Sequence, residues 1–264
     1  MQLSSATTVL ISGANGGIGQ AIARAFHATG ARLVLTGRRA EPLRPLAEEI
    51  GARVLIADLA ERAAVERLCA EAGAIDVLVA NAALPASGSL LDFTVDELDR
   101  ALDVNLRAPL IMARLLGEPM ASRGRGHIVF ISSIAGMLAS SHTTLYSAAK
   151  YGMRGAAQGL RKDLANRGVG VTTVFPGFIR DAGMFADTGV ALPRGMGTRS
   201  PEQVASAVIA GVTRNLPEII VAAPEQRVAG WLGSVAPGLV AAAERLFDSN
   251  TLGDIMAEKQ RHKR

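Results

Sequence analysis

Tyr146 and Lys150 stand four residues apart in Tyr146-Ser147-Ala148-Ala149-Lys150. That spacing is about one helical turn, so a helix presents both side chains on one face. A phenol with a pKa of ~10 is a poor acid–base catalyst at neutral pH. An ammonium beside it stabilises the phenolate and draws the pKa toward the working range. The chemistry open to such a pair is proton transfer to or from an oxygen. Alone it is a weak signal, because any long helix can contain one as a surface pair.

A second constellation lies near the start of the chain, Ser12-Gly13-Ala14-Asn15-Gly16-Gly17-Ile18-Gly19, directly after the β-branched run Thr7–Ser12. Glycines there let the backbone turn tightly and approach a pyrophosphate, which then sits at the positive N-terminal end of the next helix. Nucleotide choice is read at the end of the following strand. An acidic residue at that place would bond a ribose 2′-hydroxyl and repel a 2′-phosphate. This chain has Thr36-Gly37-Arg38-Arg39 instead, and a guanidinium grips a phosphate bidentately. NADP(H) is therefore the favoured cofactor, with NAD(H) the alternative. Solvated turn arginines are the bland reading of the same residues.

The G-x-x-x-G-x-G spacing and the Y-x-x-x-K pair together resemble the short-chain dehydrogenase/reductase family, with Ser12 in place of threonine in the glycine motif. The resemblance implies a catalytic set of Asn105, Ser133, Tyr146 and Lys150. Ser133, 13 residues before Tyr146, matches the serine that holds the substrate oxygen, and Ser132 is left to secure the strand end. Asn105 matches the asparagine that completes the proton relay, and Lys150 also holds the nicotinamide ribose. Asp58, with Leu59 beside it, matches the adenine-binding aspartate. Asn81 and Ala82 stand where relatives have N-N-A-G, with Ala80 and Ala83 replacing two of the four. Pro176-Gly177 matches a P-G motif whose following backbone, at Phe178 and Ile179, meets the nicotinamide carboxamide. Two positions depart from the family. Asp181 stands where relatives often have threonine, and Gly16 where NADP-type relatives carry a basic residue. The implied reaction is hydride transfer between NADP(H) and a carbonyl or alcohol carbon, without a metal. The alternatives are an NAD-preferring alcohol dehydrogenase and a cofactor-binding protein that has lost catalysis.

These residues need a frame. Short apolar runs alternate with helical stretches: strands are expected at Thr7–Ser12, Arg32–Thr36, Arg53–Ala57, Ile75–Val79, His127–Ile131, Val169–Phe175 and Glu218–Val221. Continuous apolar runs mark strands covered on both faces. Alternation with helices makes a doubly wound α/β sheet. The expectation is a three-layer Rossmann-type domain with a largely parallel seven-stranded sheet over residues 1–224. A C-terminal helical extension of the same domain follows over 225–264. Thr94 and Glu97 form a capping-box pattern opening a helix to about Ser122, and a second long helix covers roughly Thr143–Arg167.

Composition narrows the function classes. Of 264 residues, 49% are hydrophobic and 20% charged, a globular balance with enough apolar surface for a large core. Aromatics are only 4% and the net charge is +4 with scattered basic residues, which argues against nucleic-acid partners. Cys69 is the only cysteine, so no intrachain disulfide forms; with no leader-like start, a cytoplasmic location is expected. The uncharged run Val228–Ala243 has 16 residues, short of the ~20 that span a membrane. It reads as two short helices. The apolar residues from Gln226 to Phe247 need burial, and packing on protein is favoured over peripheral contact with a membrane. Met184, Phe185, Val190, Leu192 and Met196 after the P-G motif point to an apolar substrate. A homo-oligomer is expected from the resemblance.

Overall fold

A computed structural model describes residues 1–190, 192, 196–236, 238, 255–256 and 258–260. Seven strands, β1 (Thr8–Ser12), β2 (Arg32–Gly37), β3 (Arg53–Ile56), β4 (Val77–Ala80), β5 (Gly126–Ile131), β6 (Val169–Pro176) and β7 (Glu218–Val221), form one sheet. Its order is β3-β2-β1-β4-β5-β6-β7 and every pairing is parallel. Parallel pairing needs a crossover between successive strands, and helices supply it.

The strands read as apolar throughout because both faces are covered. On one side Val9, Ile11, Leu33 and Leu35 meet α1 (Gly17–His27) and α8 (Pro201–Arg214) through Ile22, Phe26, Val204 and Val208. On the other, Leu10, Val34, Leu78 and Phe130 meet α3 (Arg62–Ala72), α5 (Ala108–Ser122) and α6 (Thr144–Leu164) through Leu68, Met112, Leu116 and Met153. Each fully buried Leu, Ile or Phe contributes about 1.5–3 kcal/mol of transfer free energy, so the two layers carry the stability. Cys69 packs in the second layer, where burial pushes its thiol up to about 11. It is a small hydrophobe there, protonated at neutral pH.

The helix expected from Thr94 to Ser122 is helical throughout, but not uniformly α. Thr94 caps α4 (Val95–Leu102) in the expected reciprocal box with Glu97. A π-helical turn at Asp103–Arg107 then separates α4 from α5. α6 stops at Leu164 and continues as a 3₁₀ turn, Ala165–Arg167. Strand bounds move by one or two residues where ladder pairing begins. β4 starts after Asp76, whose backbone bonds Thr8 O and His127 N while its carboxylate accepts from Thr8 N at 2.9 Å and from Arg125 at 2.8 Å.

After β7, α9 (Pro224–Val235) begins earlier than the sequence pattern implies. Its Gly230 and Gly233 let it lie against the 3₁₀ turn at Ile134–Gly136: an added Cβ would come within 2.6 Å of Ile134 and 2.8 Å of Leu138. Its opposite face, with Val228, Trp231 and Val235, is exposed on the single chain. No helix among the described residues is long and apolar enough to cross a membrane. Leu239, Val240, Leu246 and Phe247, and with them the second expected helix, lie outside the described residues. The remaining helices are α2 (Arg44–Ile50) and the single turn α7 (Gly183–Ala186).

Candidate active site

Strand order reverses between β1 and β4, and in open α/β sheets ligands bind outside the carboxyl ends of the strands at that point. The glycine turn after β1 and the segment after β4 face each other there. Asn81 Nδ2 donates to Ser12 O and Gly13 O at 3.0 and 3.1 Å. Ser12 Oγ accepts from the backbone N–H of Asn81 and Ala82 at 3.0 and 3.1 Å. Ser12 is fully buried in this clasp, so its side chain does not reach the cleft; the expected cofactor contact is corrected to a tie between two strand ends.

Gly13 has φ +64°, and an added Cβ would lie 2.7 Å from Ala82 Cα. An added Cβ on Gly19 would lie 2.4 Å from Gly13 O. These glycines permit the close approach that the turn needs. Gly16 caps α1 without a side-chain hydrogen bond and no acid lies in the first turn. The helix therefore offers bare N–H groups and positive partial charge to an anion. The cleft, about 250 Å³, is lined by Gly13, Asn15, Gly17, Ile18 and Gly19 at the turn, by Asn81 and Ala82 opposite, and by Arg38, Arg39, Asp58 and Leu59 at its far end. Arg38 and Arg39 are exposed and make no ion pair or hydrogen bond among the described residues. The backbone cradle and two available guanidiniums fit a phosphorylated dinucleotide.

Asp58 Oδ1 accepts from Ala60 N at 3.0 Å and Oδ2 from Arg100 Nη2 at 3.0 Å. Partial burial opposes its charge, yet the Ala60 N–H and the guanidiniums of Arg100 and Arg38 hold the carboxyl below its usual range. Arg100, from α4, lines the same cleft. Nothing in its local sequence marks it, because it meets Asp58 only through the fold.

A second cavity of about 570 Å³ shares Ile18, Asn81, Ala83, Gly183 and Met184 with the first, so the two adjoin. Ser133, Tyr146, Lys150, Pro176, Gly177 and Ile179 line it. Ser133 caps the 3₁₀ turn by accepting from Ala135 N at 3.2 Å, and its hydroxyl bonds that of Tyr146. Ser132, also on the wall, donates to Lys150 O at 3.2 Å. Lys150 is buried, its Nζ 5.5 Å from the Tyr146 ring centroid and donating to Ile131 O at 3.0 Å. Burial draws its pKa down to about 8. The Tyr146 phenol is pushed up to about 12 by burial, which outweighs the Ser133 hydrogen bond. The expected depression by Lys150 is absent from this arrangement, because the ammonium is turned to the Ile131 carbonyl.

Asn105 does not touch either cavity. It sits wholly buried in the π turn, with Oδ1 accepting from Leu84 N at 2.7 Å and Nδ2 donating to Leu84 O at 3.0 Å. A π turn widens the helix and re-aims one side chain, which accounts for asparagine in a helix interior. Its direct role here is to fix the chain after β4 that walls the cleft.

Residues that sequence reasoning missed close the cavity from β6 onward. Gln226 on α9 is buried, accepts from Phe178 N at 3.1 Å and donates to Gly197 O at 2.6 Å, so it spans both ends of the segment after the P-G motif. An added Cβ on Gly177 would lie 2.0 Å from Gln226 Oε1, which gives that glycine a packing reason. Asp181 adopts φ +66° and pairs with Arg180 at 3.3 Å in the open. The next residue, Ala182, packs on the glycine turn: an added Cβ on Gly17 would come 2.1 Å from Ala182 Cβ.

A glycine turn at the switch point of a parallel sheet, joined to a cavity holding serine, tyrosine and lysine, defines a nicotinamide-dependent oxidoreductase of Rossmann type. The family can be stated as well: the sequence profile for short chain dehydrogenase matches residues 7–190, and the chain belongs to that family. Dehydrogenase/reductase SDR family member 7B of Bos taurus is 32% identical over 256 residues, covering 88% of this chain and 78% of the bovine protein. A metagenomic short-chain oxidoreductase solved in complex with NADP is 31% identical with a TM-score of 0.71, over 84% of this chain and 98% of the other. A short-chain dehydrogenase from Sphingobium yanoikuyae in complex with NADPH is 28% identical with a TM-score of 0.76, over 92% and 96%.

Proposed function

We propose that the protein is an NADP(H)-dependent carbonyl reductase acting on an apolar ketone or aldehyde. The observation that carries this is the convergence of Ser133, Tyr146 and Lys150 on one wall of a cavity adjoining the glycine-turn cleft. When bound, the nicotinamide supplies the hydride. Gly13, Asn15, Gly17, Ile18 and Gly19 would hold its pyrophosphate, Arg38 and Arg39 the 2′-phosphate, and Asp58 and Leu59 the adenine. Asn81, Ala82, Lys150 and the backbone from Pro176 to Ile179 would hold the nicotinamide end. Two relatives solved with NADP or NADPH support this choice.

Tyr146 donates a proton to the carbonyl oxygen while Ser133 hydrogen-bonds it, so both act on charge that develops in the transition state. The phenol, pushed up to about 12, is protonated at pH 7, the form that donation to a carbonyl oxygen requires. Lys150 donates to the Ile131 carbonyl in this arrangement, so it must turn toward the phenol oxygen to stabilise the phenolate that results. Ile134, Leu138, Phe178, Phe185 and Met196 give the cavity an apolar wall suited to a hydrocarbon body.

Tyr146→Phe keeps the ring and removes the transferable proton. NADPH-dependent reduction of a panel of ketones and aldehydes is expected to fall by 10²-fold or more, with NADPH affinity by calorimetry nearly unchanged. Turnover within a few-fold of the parent would end the assignment.

A further inference from the structure

Gln226 lies in the first turn of α9 and is 6% exposed, with both polar atoms of its side chain committed. Its Oε1 accepts from Phe178 N at 3.1 Å, and its Nε2 donates to Gly197 O at 2.6 Å and to Glu225 Oε1 at 3.2 Å. The two backbone partners fix the amide: turned over, N–H would face N–H and oxygen would face oxygen. Glu225 Oε1 also accepts from Gly197 N at 2.7 Å. Two adjacent side chains of one helix thus hold both ends of the segment 178–197.

The neck of that segment is paired as well. Phe178 O accepts from Arg199 N and Arg180 N donates to Arg199 O, both at 2.9 Å. Phe178 therefore has both backbone groups bonded, one to Arg199 and one to Gln226. The Ile179 N–H and C=O point to the other edge, as alternate residues of a paired strand do, and have no partner among the described residues. Ile179 borders the cavity that Ser133, Tyr146 and Lys150 line, one residue on from the N–H that Gln226 anchors.

We propose that Gln226 is a positioning residue for the nicotinamide end of the cofactor. By holding Phe178 it sets where the Ile179 backbone meets the carboxamide, and with it the alignment of hydride donor and Tyr146. This rests on the NADP(H) reading above. Gln226 acts through the backbone, not by contact with the reacting atoms. A misplacement of ~1 Å at a reacting centre costs on the order of 10²-fold in rate, so a clasp that removes backbone freedom on this wall has a large effect on turnover.

The test compares NADP⁺ with 2′,5′-ADP, the adenine half without nicotinamide, by calorimetry on the full chain. Gln226→Leu is expected to weaken NADP⁺ by about tenfold and 2′,5′-ADP by less than about twofold. With saturating NADPH, kcat for the best ketone of the panel should fall by roughly 10- to 100-fold while its KM changes little. Should that variant fail to fold, Gln226→Glu carries the comparison. Its neutral carboxyl can make both backbone bonds. The ionised form loses the donor and faces the Gly197 carbonyl and the Glu225 carboxylate, with Arg199 near the latter. Relative to the parent at the same pH, NADP⁺ should bind this variant about tenfold more weakly at pH 8 and within about threefold at pH 5. Equal losses for NADP⁺ and 2′,5′-ADP would make Gln226 a support of the whole cleft and overturn the proposal. So would NADP⁺ binding that neither substitution alters, or a Gln226→Glu loss that does not recover at pH 5. If the parent binds NADP⁺ and reduces no carbonyl compound, the catalytic reading fails while the calorimetry still decides this one. A parent that binds neither NADP⁺ nor NAD⁺ would overturn both.

Discussion

Arg38 and Asp58 show how a single residue's worth depends on what the fold puts beside it. Asp58 and Arg100 are each about a third exposed, 34% and 33%, and such pairs contribute ~0–1 kcal/mol to stability. Their value is to orient one end of the cleft. Arg38 is exposed and makes no hydrogen bond or close ion pair among the described residues, so its guanidinium is available to meet an anion. Arg38→Ala is expected to weaken NADPH by roughly 10- to 100-fold, the range of a charge-assisted hydrogen bond, and NADH by less than about twofold. The NADPH loss should shrink as salt rises, because the site is open to solvent. Equal losses for both cofactors, measured by calorimetry, would assign Arg38 to the fold alone.

At the level of elements, the run from α4 through the π turn to α5 serves two faces. Inward, Asn105 clamps Leu84 and shapes the cleft. Outward, Leu110 and Leu115 on α5 and Tyr151 on α6 are exposed on the single chain. Leu110 and Leu115 also line a groove with Leu102, Leu106 and Ile111, rimmed by charged residues of α3, α4 and α5 such as Glu66, Asp99 and Arg114. Single exposed apolar residues need no explanation, but a contiguous group of them marks an interaction surface. Self-association through α5 and α6 is the expectation, in line with the resemblance drawn from the sequence. Sedimentation at micromolar concentration should find a dimer or tetramer, and Leu115→Glu should move it toward monomer without lowering Tm by more than a few degrees. A parent that sediments as a monomer would remove this reading.

The whole molecule has an acid-sensitive joint on the far side of the site. His127 on β5 is buried, its Nε2 2.8 Å from Thr172 Oγ1 on β6, and that hydroxyl donates to Leu216 O at 2.6 Å. Thr172 has spent its hydrogen, so its oxygen accepts and the proton of the neutral ring lies on Nε2. Burial depresses the ring to about 3, below the ordinary value near ~6.5. The folded chain therefore takes up fewer protons than the unfolded one between those values. Stability from this group is full above pH ~6.5 and is lost as pH falls toward 3, by up to ~1.4 kcal/mol per unit. Urea titrations at pH 6.5 and 4.5 should show a loss of about 2 kcal/mol that His127→Leu largely removes. A variant that loses as much as the parent would place the acid sensitivity elsewhere.

Much of this protein was determined locally and was legible in the chain. Apolar runs of strand length between helical stretches specify a parallel sheet, because only strands covered on both faces tolerate them. The glycine turn and the Tyr146–Lys150 pair announce themselves by spacing, since each works within one turn of backbone. The capping box at Thr94 and Glu97 is legible for the same reason. What tertiary structure alone decided involves partners far apart in sequence. Ser12 turns inward because β4 ends beside it, 69 residues on from the turn to Asn81. Arg100 reaches Asp58 across 42 residues, and Gln226 reaches Phe178 across 48. The direction of the Tyr146 shift was also settled by packing: the sequence puts a cation nearby, but burial and the Ile131 carbonyl set where that cation points. Gln260 lies farthest from legibility. A polar residue in a basic stretch reads as solvated until the fold buries it at the cavity wall with its Nε2 on the Met184 carbonyl.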